Sequence, residues 1–188
     1  MPGVHRLFFA LWPDDALRSA IADVARGELT GNERGRAIRT DRLHMTVQFL
    51  GDFRMPAEAV ERAMAAAESI EAPMSFDLAL DRLGSFGGGR VTWLGASACP
   101  EELVQLHRRL GRALQSGDLR PEHASAFVPH VTLARDIRGT VEGDVSALHW
   151  HVREFVLVDS TAGEYRILGR WPLQARDVSR GYRSPAVR

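Results

Sequence analysis

The chain has 188 residues with 24 acidic and 24 basic side chains, so its formal net charge is zero, and every basic residue is Arg. Without a Lys it cannot carry a P-loop, a pyridoxal Schiff base or the nucleophile of lysyl-adenylate nucleic-acid ligases. The chain has one cysteine, Cys99, which excludes an internal disulfide and a Cys-rich zinc site. Its apolar runs are short, which predicts a soluble cytoplasmic protein with no membrane contact.

The first half of the chain predicts two strands and two helices. Leu7–Trp12 is an apolar run typical of a buried strand, and a helix begins at Pro13, where two acidic residues lie at the positive end of its dipole. Gly27–Thr40 is polar and rich in glycine, which predicts a loop. A second strand is predicted over Leu43–Leu50, and a second helix follows Pro56.

The second half of the chain adds one helix, which begins at Pro100, and five strands. The strands are predicted at Ser75–Leu80, Arg90–Leu94, Val128–Ile137 and in a final hairpin of His149–Val158 with Glu164–Leu173. A flexible glycine-rich loop is predicted over Gly84–Gly89. Because several strands are linked as hairpins, the pattern favours an α+β fold with a mainly antiparallel sheet. We expect one domain over residues 1–175 and an Arg-rich, flexible tail over 176–188.

Two of the predicted strands carry the same pattern of His, apolar, Thr and apolar residues. His44 and Thr46 lie in one strand, and His130 and Thr132 lie 86 residues later in similar surroundings. Side chains alternate along a strand, so each His shares a face with its Thr while the apolar neighbours face a core. A shuffled sequence would contain roughly 0.26 His-x-Thr triplets, so the repeat indicates two related half-domains that face one cleft.

Two facing imidazoles suit acid–base catalysis of attack on a phosphodiester. Because the ordinary pKa of His is near 6.5, one ring can accept a proton from water while the other donates one to the leaving alkoxide. The Thr hydroxyls can donate hydrogen bonds to the non-bridging phosphate oxygens. This chemistry requires neither a metal nor a cofactor, and the residues alone do not say which His is the acid.

The motifs resemble those of the 2H phosphoesterases, and among them the bacterial and archaeal RNA 2′,3′-cyclic phosphodiesterases, also called 2′-5′ RNA ligases. The similarity is carried by the opening strand from Arg6, by Leu43–Gly51, by Pro129–Arg135 and by the closing hairpin from Phe155. It implies two pseudo-symmetric lobes, each a small, mainly antiparallel sheet with helices, that flank a central cleft.

The resemblance also implies an activity. The chain would be an enzyme that hydrolyses RNA 2′,3′-cyclic phosphate ends, including those of tRNA fragments, to 2′-phosphomonoesters. We expect it to act as a monomer. His44 would be the proton donor, His130 the proton acceptor, and Thr46 and Thr132 the phosphate ligands. The alternatives are an ATP-independent 2′-5′ RNA ligase that acts on tRNA halves and a non-catalytic module that binds nucleotides or RNA.

Five further residues are candidates for substrate binding, each with a plainer alternative. Gln48 shares the predicted face of His44, or is an ordinary exposed polar residue. Phe49 and Trp93 could stack on a base, although Phe49 falls on the apolar face of its strand and core packing is favoured there. Arg135 falls opposite His130 under strict alternation, unless a bulge or the strand end turns it toward the phosphate. Arg90 either reaches the cleft or is solvated.

Overall fold

The computed structural model describes residues 3–29, 35–121, 127–137 and 139–175, and the predicted tail over 176–188 lies outside them. The helices are α1 (Asp15–Glu28), α2 (Ala57–Ser69) and α3 (Glu101–Ser116). The strands are β1 (His5–Leu11), β2 (Arg36–Ala37), β3 (Met45–Phe53), β4 (Phe76–Phe86), β5 (Val91–Gly95), β6 (His130–Arg135), β7 (Gly143–Val152), β8 (Glu154–Thr161) and β9 (Glu164–Pro172). Within the described ranges, no helix combines the length and apolarity needed to span a membrane.

All of these strands join one antiparallel sheet, in which β7-β4-β5-β6-β3-β1-β8-β9 is the order and β2 pairs with β6. Apart from β2, four strands lie on each side of the β6–β3 boundary, and we call β3-β1-β8-β9 lobe 1 and β6-β5-β4-β7 lobe 2. The lobes meet at a single antiparallel pair, Met45 with Val131. The predicted α+β fold with two lobes is confirmed.

The three helices cover one face of the sheet and bury its apolar side chains. In α3 the residues Leu103, Leu106, Leu110 and Leu114 recur at helical spacing and are fully buried. Helix α1 follows β1 of lobe 1 but packs on β6 and β7 of lobe 2, whereas α3 follows β5 of lobe 2 but packs on β3 of lobe 1. Helices α1 and α3 therefore each cross to the opposite lobe. The other face of the sheet is left for a cleft.

Two sequence predictions about the strands are wrong. His149–Val158 is not one strand, because the chain leaves β7 at Val152, passes Arg153 and enters β8, which lies beside β1 in the other lobe. Only β8 forms the final hairpin with β9. The loop predicted over Gly84–Gly89 is also shorter than expected, since β4 continues to Phe86 and pairs with β5 up to that residue.

Candidate active site

The pairing of β3 with β6 brings the two His-x-Thr motifs together. Met45 and Val131 are fully buried and lie opposite each other, so by the antiparallel register His44 lies beside Thr132, and Thr46 lies beside His130. These four side chains are partly exposed on the face away from the helices. His44 and His130 are then diagonal neighbours, a relation in which the two residues are about 7–8 Å apart, which leaves room for a phosphate.

Both imidazoles are oriented by the same kind of hydrogen bond. Nδ1 of His44 lies 2.6 Å from the carbonyl oxygen of Arg42, and Nδ1 of His130 lies 2.7 Å from that of Val128. A carbonyl oxygen only accepts, so Nδ1 carries the hydrogen and donates it in each case. Nε2 of each ring is therefore the atom that can accept or deliver a proton in the cleft.

The ring of His44 is enclosed by aromatic side chains of lobe 1. It stacks on Phe8 with 4.8 Å between centroids and on Trp12 at 5.7 Å, while Tyr165 contacts it edge-on at 5.5 Å. The guanidinium of Arg18 lies over the ring of Trp12 at 5.6 Å. Alternation along the chain from Phe8 to Trp12 puts both on one face, but the apolar run predicts only a buried strand and does not indicate these contacts.

The ring of His130 has more open surroundings in lobe 2. Phe86 contacts it edge-on at 5.1 Å, and Trp93 lies 6.1 Å away. Phe86 is 37% exposed and Val128 is 40% exposed, so solvent reaches this side of the cleft. Trp93 packs flat against Gly84, where a Cβ would approach the indole to 2.1 Å. The candidate stacking residue Trp93 thus lies beside His130, and Phe86 is a neighbour that the sequence did not suggest.

The enclosure of the two rings alters their proton affinity. The pKa of His44 is lowered to about 4, chiefly by desolvation; the positive charges of His130 and Arg135 contribute to the lowering, and the hydrogen bond to Arg42 opposes it. The pKa of His130 is also lowered, first by desolvation and then by the charge of Arg135, while the hydrogen bond to Val128 raises it. The two imidazoles are therefore close enough to influence each other, and both are neutral at neutral pH.

A bulge in β3 exchanges the faces predicted for Gln48 and Phe49. On β1, Ala10 pairs with Thr46 and Phe9 with Gln48, so Val47 is the extra residue. Gln48 turns toward the helices, is only 3% exposed and donates from Nε2 to the carbonyl oxygen of His107 at 2.7 Å. The prediction that Gln48 lines the cleft is wrong.

Phe49 lies on the same face as His44, because it pairs with Phe8 across the strands and packs in the same apolar cluster. The position of Phe49 in the sequence favours packing in the core beneath the helices, but the ring lies on the opposite face of the sheet. The guanidinium of Arg6 lies over its ring at 5.8 Å. Its contact with a base stays a prediction.

A matching bulge in β6 turns Arg135 toward the cleft. On β5, Trp93 pairs with Thr132 and Thr92 with Ala134, so Leu133 is the extra residue. Arg135 pairs with Val91, which lies on the same face as Trp93. The charge of Arg135 acts on both imidazoles, which agrees with this placement. Arg90 is exposed in the turn between β4 and β5, and its role in binding stays a prediction.

The described part of the chain holds no group of three or more His, Cys, Asp or Glu side chains placed to bind a metal ion. The chemistry available to the cleft from its own residues is proton transfer at two Nε2 atoms, together with hydrogen bonds from two hydroxyls and one guanidinium.

Comparisons with known proteins agree with this arrangement. The family model that describes the 2′-5′ RNA ligase superfamily matches residues 13–164 of this chain. The RNA 2′,3′-cyclic phosphodiesterase of Escherichia coli (strain K12) is 34% identical over 176 residues, which are 90% of this chain and 97% of that protein. A protein of the same name from Aquifex aeolicus (strain VF5) is 30% identical over 135 residues, 70% of this chain and 71% of that one. The crystal structure of E. coli LigT complexed with 3′-AMP has a TM-score of 0.76 and 32% identity, and the match covers 91% of this chain and 98% of that one.

Proposed function

Because the chain belongs to the 2′-5′ RNA ligase superfamily, we propose that it hydrolyses RNA ends that carry a 2′,3′-cyclic phosphate and leaves 2′-phosphomonoesters. One observation carries this function more than any other. Two imidazoles, each held by Nδ1 so that Nε2 is the exchanging atom, lie on one face where the lobes meet. This pair is what an in-line displacement at phosphorus requires, since one proton must be removed and another delivered.

In the proposed reaction His130 is the base and His44 is the acid. A water molecule attacks phosphorus and gives its proton to Nε2 of His130. The bond between phosphorus and O3′ breaks, and O3′ takes the proton from Nε2 of His44. Two features support these roles: solvent reaches His130 past Phe86, and the stacked faces of Phe8 and Trp12 stabilise a protonated His44.

The remaining groups act on the phosphate. The hydroxyls of Thr46 and Thr132 donate to its non-bridging oxygens, and Arg135 balances the charge that develops there. An anionic phosphate between the rings raises both pKa values, which opposes the desolvation described above. Binding of the substrate therefore favours the protonated form of His44 that the reaction needs.

The decisive experiment uses an RNA oligonucleotide that ends in a 2′,3′-cyclic phosphate, incubated with EDTA and without ATP. We expect a 2′-phosphate product, and we expect His44→Ala and His130→Ala each to lower kcat by about 10²–10⁴-fold. His149→Ala is the matched control, since His149 is exposed on the edge strand β7, and it should keep full activity. A 3′-phosphate product would contradict the assignment of the leaving group.

The same experiment separates the two alternatives. RNA with a 5′-hydroxyl end is added as a competing nucleophile, and a 2′-5′-linked product that forms faster than the phosphomonoester would favour ligation. Substrate that is bound but unchanged would favour a non-catalytic binding module.

We also propose that the protein acts in the cytoplasm as a monomer, on RNA ends such as those of tRNA fragments. Both motif strands come from one chain, so a single copy supplies all the groups that the mechanism uses. The exposed thiol of Cys99 suits a reducing compartment.

A further inference from the structure

His107 lies outside both motifs, in the middle of α3, yet it contacts the strand of the first one. Its Nδ1 is 2.7 Å from the carbonyl oxygen of Val47, the extra residue of the β3 bulge. Because a carbonyl only accepts, Nδ1–H of His107 donates this bond. The bond reaches the backbone one residue after Thr46, so it acts directly on the conformation of the motif.

The equivalent bulge in lobe 2 is held differently. The carbonyl oxygen of Leu133, its extra residue, accepts from the backbone N–H of Ile38 at 2.8 Å. A backbone donor is present whatever the side chain at that position, whereas the bulge of lobe 1 relies on the side chain of His107. The first motif is therefore sensitive to a substitution in a way that the second is not.

A second hydrogen bond runs in the opposite direction between the same elements. Gln48, the residue after the bulge, donates from Nε2 to the carbonyl oxygen of His107 at 2.7 Å. Gly111, one turn further along α3, leaves space for this amide, since a Cβ there would lie 2.8 Å from Nε2 of Gln48. Two bonds thus fasten the bulge to the helix, and Phe49 is turned into the cleft as a result.

The ring of His107 is itself held from the side of the second motif. It stacks on Phe127 with 4.0 Å between centroids and 9° between planes. Phe127 directly precedes Val128, whose carbonyl oxygen orients His130. The stack therefore connects the residue that holds the first motif with the segment that leads into the second.

We propose that His107 is a positioning residue for the reaction: its Nδ1–H holds the β3 bulge that sets Thr46 and Phe49 in the cleft, and the stack on Phe127 keeps the ring in place to do so. The activity that it supports is the one given under Proposed function, and the inference rests on that function for its kinetic test. His107 does not touch the substrate.

Two substitutions separate the donor from the stack. His107→Phe keeps a flat ring against Phe127 and removes the donor, whereas His107→Asn places an amide N–H where Nδ1 was and removes the ring. On the cyclic-phosphate oligonucleotide we expect His107→Phe to lower kcat about tenfold with KM changed less than about twofold, because geometry at the reacting group is lost rather than binding. We expect His107→Asn to keep kcat within about threefold of the wild type.

Phe76→Leu, in the buried far end of β4, is the control for loss of stability alone, and we expect it to lower Tm without changing kcat. The proposal is overturned if His107→Phe and His107→Asn lose the same factor in kcat, or if kcat follows Tm in all three variants. NMR provides a readout that does not depend on turnover. The amide resonances of Thr46 and Phe49 should shift in His107→Phe and stay in place in His107→Asn. A wild type without turnover would refute the proposed function, and the NMR comparison would still decide the role of His107.

Discussion

Each imidazole donates its Nδ1–H to a carbonyl two residues earlier, but the rings differ in what surrounds them. His44 is stacked between the faces of Phe8 and Trp12, whereas His130 makes a T-shaped contact with the more exposed Phe86. The faces of aromatic rings carry partial negative charge and favour an imidazolium. Two residues of the same type, in matching positions, are therefore suited to opposite halves of a proton exchange.

The lowered pKa values predict an acidic optimum for the free enzyme. The profile of kcat/KM against pH should be a bell with one limb near the pKa of His44, about 4, and the other below 6.5, since the pKa of His130 is lowered as well. Arg135→Gln removes a positive charge that lowers both pKa values, so both limbs should move to higher pH. Loss of its contact with the phosphate should also reduce kcat/KM about 10–100-fold.

Arg135→Lys is the matched control for this prediction. It keeps the charge and loses the planar fork, so the limbs should stay while kcat/KM falls. Limbs that stay in place in Arg135→Gln would show that its charge does not reach the imidazoles. The pH profiles of the three proteins are measured on the same oligonucleotide.

At the scale of single elements, the bulges at Val47 and Leu133 mark where prediction from the sequence ends. Strict alternation along β3 and β6 correctly places His44, Thr46, His130 and Thr132 on one face. One extra residue, Val47 or Leu133, then reverses the alternation. Bulges depend on hydrogen bonds to neighbouring elements, here from His107 and Ile38, which no local pattern reports. For this reason the sequence pattern misplaces Gln48 and does not decide which face Arg135 takes.

The hairpin of β4 and β5 offers a test of how the wall beside His130 is built. In Gly84→Ala the new methyl group would meet the rigid indole of Trp93 at 2.1 Å, so the ring must move. We expect a loss of about 1–3 kcal/mol in the free energy of unfolding, measured by urea denaturation, and a lower kcat as the contact with His130 is disturbed.

Gly27→Ala, near the end of α1, has no atom within 4 Å of the new Cβ and serves as the matched control. It should raise stability by up to about 1 kcal/mol, because alanine is the better helix former. If Gly84→Ala were as stable as the wild type, the position of the Trp93 ring would not depend on the space above Gly84.

Across the whole molecule, the two sides of the β3–β6 boundary begin alike, because each motif strand lies beside the strand from which a helix leads to it: β3 beside β1, and β6 beside β5. The repeated motif indicated two such halves, and the resemblance to 2H phosphoesterases implied their arrangement. The crossing of α1 and α3 to opposite lobes could not be predicted, because their apolar stripes state only that each helix buries a face. Which lobe the apolar face of a helix packs on depends on the loops and on the shape of both lobes together.

The crossed helices predict that the lobes unfold together. Each lobe lacks part of its core without the helix that enters from the other, so urea denaturation should show one transition. Trp12 and Trp171 report on lobe 1, and Trp93 and Trp150 on lobe 2. Variants that keep tryptophan in one lobe only, with Phe in the other, should have fluorescence midpoints that coincide with that of the circular dichroism signal. Separate midpoints would show that each lobe is stable alone.

The joining of the lobes through Met45 and Val131 has a consequence for how the enzyme tolerates change. The gap between the imidazoles is set by the spacing of two hydrogen-bonded backbones, a length that is nearly constant in all proteins. The volume of the core does not set this gap. Substitutions among the buried leucines of the helices can therefore change the stability of the protein while the distance between the two imidazoles stays the same. The interior is thus free to diverge in evolution.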